Sequence, residues 1–103
     1  MEYNGKTRTC GVIGNPVEHT LSPLIHNHIA ERENNNMVYV PFFVKDGELE
    51  AAVKGAYALN VLGLNVTVPY KRDVISCLTE IDALAEKIGA VNTLVRTEDG
   101  YKG

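Results

Sequence analysis

Cysteine occurs only twice in this chain of 103 residues, as Cys10 and Cys77. Two distant thiols cannot form the framework that staples small secreted domains, and a reducing, cytoplasmic setting is the expectation. No apolar run approaches the ~20 residues of a membrane span, and Met1 to Thr9 lack the apolar stretch of a secretion signal. A stripe of Lys and Arg is also missing. The formal charge is −3, which argues against nucleic acid as a partner, because nothing is arrayed to neutralise phosphates. Histidines 19, 26 and 28 with two remote cysteines do not match a zinc pattern, so no metal is expected. Repeats, low-complexity tracts and interdomain linkers are absent as well. What remains is one soluble domain, 45% hydrophobic, able to bury roughly 60 to 65% of its unfolded surface.

The apolar segments alternate in type. Cys10 to Gly14 reads as a buried strand that runs into Gly14-Asn15-Pro16. Ser22 before Pro23 is the order of an N-cap and first helical residue; Leu24, Ile25 and Ile29 would be the helix's buried face, and the asparagines 34–36 would end it. Met37 to Val44 is a second strand, with Pro41 placing it at a sheet edge. Asp46 would cap a helix whose Leu49, Ala52, Val53, Ala56 and Leu59 form one stripe, closed by Asn60. The third strand holds Asn65 and stops at Pro69. A helical turn over residues 72–78 follows, and then a helix capped by Thr79 and Asp82, with Ile81, Leu84, Ala85 and Ile88 inward and Gly89 as its stop. Val91 to Thr97 is a strand, and Asp99-Gly100 turns it into a hairpin. This β-α-β-α-β order predicts an α/β fold: a three-layer α/β/α sandwich around a mostly parallel sheet of five to six strands, with the hairpin supplying one antiparallel strand. Because the last strand is so short, it is expected to fray, and self-association of the exposed apolar surface is expected with it.

In such a sheet small ligands bind beyond the carboxyl ends of the strands. Three polar loops fall there. Thr20 and Ser22 enter the first helix, where two hydroxyls and the first helical N–H groups can address one anion; equally, Ser22 can simply cap the helix. Asn65, Thr67 and Lys71 offer an amide, a hydroxyl and a cation around the third strand's end, and Asn92 adds a second amide. That set suits a small polyhydroxylated ligand better than a nucleotide. Lys71 can hold an oxyanion or pass a proton, or can be a solvated surface lysine, and Asn92 can satisfy nearby backbone instead. Gly11-x-x-Gly14 lacks a third glycine and sits within a strand, which ranks nucleotide binding low.

Gly14-Asn15-Pro16, His19-Thr20-Leu21-Ser22-Pro23, Asn65-Val66-Thr67-Val68-Pro69-Tyr70-Lys71 and Gly89-Ala90-Val91-Asn92-Thr93-Leu94 stand in the order and approximate spacing of shikimate dehydrogenases. The sequence resembles the substrate-binding domain of that family from Cys10 onward. The resemblance implies reduction of 3-dehydroshikimate to shikimate with NADPH, in aromatic amino-acid biosynthesis. It implies that Thr20 and Ser22 hold the substrate carboxylate, that Asn65, Thr67 and Asn92 bind its hydroxyls, and that Lys71 is catalytic at the ketone. The family usually has serine where Thr20 stands; the extra methyl stiffens the rotamer and leaves the choice between shikimate and quinate open. The family's catalytic aspartate, its Rossmann domain for NADP and its returning carboxyl-terminal helices fall beyond Gly103. The expectation is therefore residues 1–103 of a longer enzyme, with no cofactor of its own and no turnover alone. The other class compatible with these residues is a non-catalytic shikimate or quinate sensor. A flavodoxin-like interaction domain is a third reading.

Overall fold

A computed structural model describes residues 2–103. Five strands form one sheet in the order β2-β1-β3-β4-β5, from β1 (Arg8–Gly14), β2 (Met37–Phe43), β3 (Gly63–Val66), β4 (Thr93–Arg96) and β5 (Tyr101–Lys102). The helices are α1 (Ser22–Arg32), α2 (Leu49–Ala58) and α3 (Ala83–Ile88), with a 3-10 helix over Asp73–Cys77. β1 pairs in parallel with both β2 and β3, while β4 pairs antiparallel with β3 and with β5. Only β4 among these strands therefore runs against the rest, as the hairpin signal requires. The chain moves from β1 outward to β2 and then back across to β3, so right-handed crossovers place α1 and α2 on opposite faces.

Alternation along the strands divides the side chains. Ile13, Leu64, Val66, Leu94 and Tyr101 point to the α2 side and join Leu49, Val53, Val74 and Val91 in a single core cluster. Cys10, Tyr39, Asn65 and Thr93 belong to the other face, by the register that sets Cys10 opposite Tyr39 and Asn65 opposite Thr93. Pro41 lies in edge strand β2, where its missing N–H breaks no ladder. The outward backbone of β2 is closed by α1. Asn27 donates from Nδ2 to the Tyr39 carbonyl and accepts the Tyr39 N–H on Oδ1, both at 2.8 Å, which blunts the edge.

Asn34 and Asn60 take positive φ at the ends of the first two helices, and Gly89 does so after α3, as expected. Several other expectations fail. The apolar side chains of α1 face outward: Leu24 is 71% exposed, Ile25 and Ile29 about half so, and Ala30 is the residue of α1 that is buried. The helix docks through the small Ala30 and the amide of Asn27, so the larger apolar side chains are not what holds it. Leu59, Leu84 and Ile88 are exposed too, because α2 and α3 are short and pack through Leu49, Val53 and Ala85. Ser22 is the first helical residue and Leu21 precedes it as a cap without a side-chain bond. Glu48, not Asp46, stands before α2. Asp82 caps α3, accepting from the N–H groups of Leu84 and Ala85 at 3.1 and 3.3 Å, whereas the Thr79 hydroxyl donates to the Tyr101 carbonyl. The last strand does not read as frayed: Tyr101 is fully buried, its hydroxyl donates to the Val61 carbonyl at 2.6 Å, and its ring meets Tyr57 edge-on.

Candidate functional site

The carboxyl ends of β1 and β3 are stitched together by backbone. Thr67 N–H donates to the Ile13 carbonyl, and Asn15 N–H to that of Val68, each at 3.0 Å. This approach needs Gly14, since a Cβ there would sit 2.3 Å from the Thr67 Cγ2 methyl. Thr67 is thus positioned by the packing of its methyl and by its backbone bonds. The turn after it is pinned by Tyr70, which is buried and donates to the Val44 carbonyl at 2.6 Å. With Tyr70 plugged into the core, its neighbour Lys71 is left exposed, and the Lys71 carbonyl accepts from Val91 N–H at 2.7 Å. That bond sets Asn92 and Thr93 beside the lysine. Lys71, Asn92 and Thr93 line one cavity of about 400 Å³ between α3 and the start of β4. Lys71 forms no ion pair among the described residues. Asp82 borders the same cavity, but its carboxylate is committed to capping α3.

A second set of contacts crosses the open face of the sheet. The Tyr39 hydroxyl donates to Asn65 Oδ1 at 2.7 Å, Asn65 Nδ2 donates to Thr93 Oγ1 at 3.3 Å, and Thr93 Oγ1 donates to Asn92 Oδ1 at 3.1 Å. Burial pushes the Tyr39 hydroxyl above its ordinary value, with the Ser22 side chain pulling partly back. Tyr39 therefore serves as a neutral donor. One chain of bonds thus joins Asn65 to Asn92, beginning at Tyr39 and passing through Thr93. Sequence reasoning missed Tyr39 and Thr93 in these roles. A tyrosine on an inward strand position reads as core, and Thr93 differs little from any strand threonine; their placement opposite one another on neighbouring strands is a property of register.

Thr20 is only partly drawn in. Its Oγ1 accepts from Ser22 N–H at 3.3 Å, so one helix-end donor expected for an anion is already used, though the Thr20 hydroxyl keeps its proton. Thr20 borders a separate cavity between α1 and Pro41. Of the polar residues at the strand ends, Lys71 and Asn92 border one cavity with Thr93, Thr20 borders another, and Asn65 is tied to Asn92 through Thr93. Among the described residues no group of three or more His, Cys, Asp or Glu side chains could hold a metal. His26 is instead stacked on the Tyr39 ring, centroids 4.3 Å apart and 16° between planes.

Polar side chains gathered where parallel strands end, on a scaffold tied by short backbone bonds, define a small-molecule-binding α/β domain. The family model for the shikimate dehydrogenase substrate binding domain matches residues 12–94. The chain belongs to that family. It is 49% identical over 102 residues to the shikimate dehydrogenase (NADP(+)) of Thermosynechococcus vestitus, and 50% identical over 103 residues to that of Caldanaerobacter subterraneus. These alignments cover 99% and 100% of this chain but 36% and 37% of those proteins, so the chain spans little more than a third of their length. The fold matches shikimate 5-dehydrogenase from Listeria monocytogenes, solved with shikimate and NAD, at a TM-score of 0.95 and 36% identity, covering all of this chain and 36% of that one.

Proposed function

We propose that this chain is the shikimate-binding part of an NADP-dependent shikimate dehydrogenase, an oxidoreductase of aromatic amino-acid biosynthesis that interconverts 3-dehydroshikimate and shikimate. The observation that carries the reading is the bonded chain Tyr39–Asn65–Thr93–Asn92 ending beside Lys71. The Thr20 and Ser22 hydroxyls hold the substrate carboxylate, with each charge-assisted bond worth ~1.5–3 kcal/mol. Asn65, Thr67 and Asn92 bind ring hydroxyls. Lys71 lies at the ketone, where an ammonium stabilises or protonates the oxygen that becomes a hydroxyl. A cytoplasmic location accompanies this reading; among the described residues no helix is long and apolar enough to cross a membrane.

NADP finds no cradle in residues 2–103. Gly11 is held by strand packing, since a Cβ would lie 2.4 Å from the Val40 carbonyl oxygen, and no glycine-rich turn opens a helix. The 103 residues alone are expected to bind without turning over. Calorimetric titration with shikimate tests the binding. The expected result is saturable binding, weakened by more than tenfold in Ser22→Ala, with no NADP-dependent shikimate oxidation by the same sample. An absence of saturation would remove the reading.

A further inference from the structure

We infer that Tyr39 is a positioning residue of this site, whose hydroxyl fixes which way the side-chain amides of Asn65 and Asn92 point and so makes both of them donors toward the ligand. The inference deepens the shikimate-binding reading and rests on it for the identity of the ligand alone.

An asparagine amide can turn over, offering its oxygen or its NH₂ to whatever lies in front of it, and its neighbours decide between the two. For Asn65 the decision comes from Tyr39. The phenol donates to Oδ1 at 2.7 Å, which turns Nδ2 away, toward Thr93 Oγ1 at 3.3 Å. Thr93 Oγ1, which accepts that bond, donates its own to Asn92 Oδ1 at 3.1 Å. Asn92 is thereby oriented in the same sense, with its NH₂ unspent. Every donor in the series points the same way along the chain, an arrangement in which each bond polarises the next. One Nδ2 proton of Asn65 and the NH₂ of Asn92 remain for a ligand. Oxygens of the ligand are then read as acceptors at both positions.

Tyr39 can impose this because it cannot move. It is 3% exposed. Asn27 holds its backbone N–H and carbonyl, and His26 stacks on its ring. The asparagines lie on the open face, where water would otherwise let their amides turn.

Tyr39→Phe keeps the ring and the stacking while removing the donor. In ¹⁵N-labelled protein without ligand, the Asn65 and Asn92 side-chain NH₂ signals should shift, and the separation between the two protons of Asn65 should narrow. Shikimate affinity should fall roughly 5- to 20-fold, the scale of losing one aligned hydrogen bond. Thr93→Val breaks the same series from the exposed side and serves if Tyr39→Phe does not fold: it should shift both amides too, while Thr93→Ser, which keeps the hydroxyl, restores them. A purely structural role would lower the melting temperature and leave the amide signals in place. Unchanged Asn65 and Asn92 signals in Tyr39→Phe, or in Thr93→Val where the former is unfolded, overturn the inference. If wild-type protein fails to bind shikimate, the proposed function falls, and the amide signals still decide the role of Tyr39.

Discussion

The two faces of this sheet are built on different physics. Toward α2, strands and helices meet in one apolar cluster in which Leu94 and Val74 are wholly buried. Toward α1 the helix covers only the β1–β2 half, Val12 and Ala30 form a smaller buried apolar patch, Val95 stays more than half exposed, and a series of hydrogen bonds links Tyr39, Asn65, Thr93 and Asn92. The larger apolar core thus lies on one face and the polar series on the other. The backbone bonds from Ile13 to Thr67 and from Lys71 to Val91 carry the position of the rigid face into the polar one.

Substitution should separate the faces most clearly. Leu94→Ala removes a wholly buried side chain from the core cluster and should cost about 2–5 kcal/mol in urea denaturation. Leu24→Ser on the outward side of α1, 71% exposed, should stay within ~0.5 kcal/mol. Equal losses would mean that α1 is packed as tightly as α2. For catalysis the weight reverses. In a protein that joins this domain to the nucleotide-binding remainder of a relative, Lys71→Ala should lower kcat by roughly 10²–10⁴ and leave the melting temperature unchanged, because its side chain is exposed and forms no ion pair among the described residues.

Tyr39 toward α1 and Tyr101 in the core give a pH test that compares the faces. Burial holds both Tyr39 and Tyr101 above the ordinary value of 10.0. With folded values raised, the unfolded chain loses its phenolic protons first. The stabilisation is complete below about pH 10 and is lost as pH rises through the folded values. The expected result is a steepening loss of stability above pH 10 in denaturation curves, reduced in Tyr39→Phe and in Tyr101→Phe. The smallest effect concerns the thiols: Cys10 belongs to the open face and Cys77 to the 3-10 helix beneath the core. Burial raises both, so alkylation near pH 8 should be slower at each than for free cysteine.

The order of elements, the edge position given by Pro41, the stops at Asn34, Asn60 and Gly89 and the hairpin at Asp99-Gly100 were legible because each depends on a local backbone preference. The burial of α1 was not. Leu24, Ile25 and Ile29 have helical spacing in any sequence, but which side faces the sheet was decided by Asn27 finding the free backbone of Tyr39 twelve residues away. The polar residues at the strand ends were also readable, since strand termini announce themselves through proline and glycine. Tyr39 and Thr93 were not, because their role depends on cross-strand neighbours that no short window contains.

The most direct test of the central claim, that residues from separate loops and strands act as one site on the open face, is a shikimate titration of ¹⁵N-labelled protein followed residue by residue. The expected result is saturable shifts with one common dissociation constant at Thr20, Ser22, Asn65, Lys71 and Asn92, and none at Leu94 or Val53 in the core. Shifts confined to the α2 side, or different constants for the Ser22 and Lys71 ends, would contradict it.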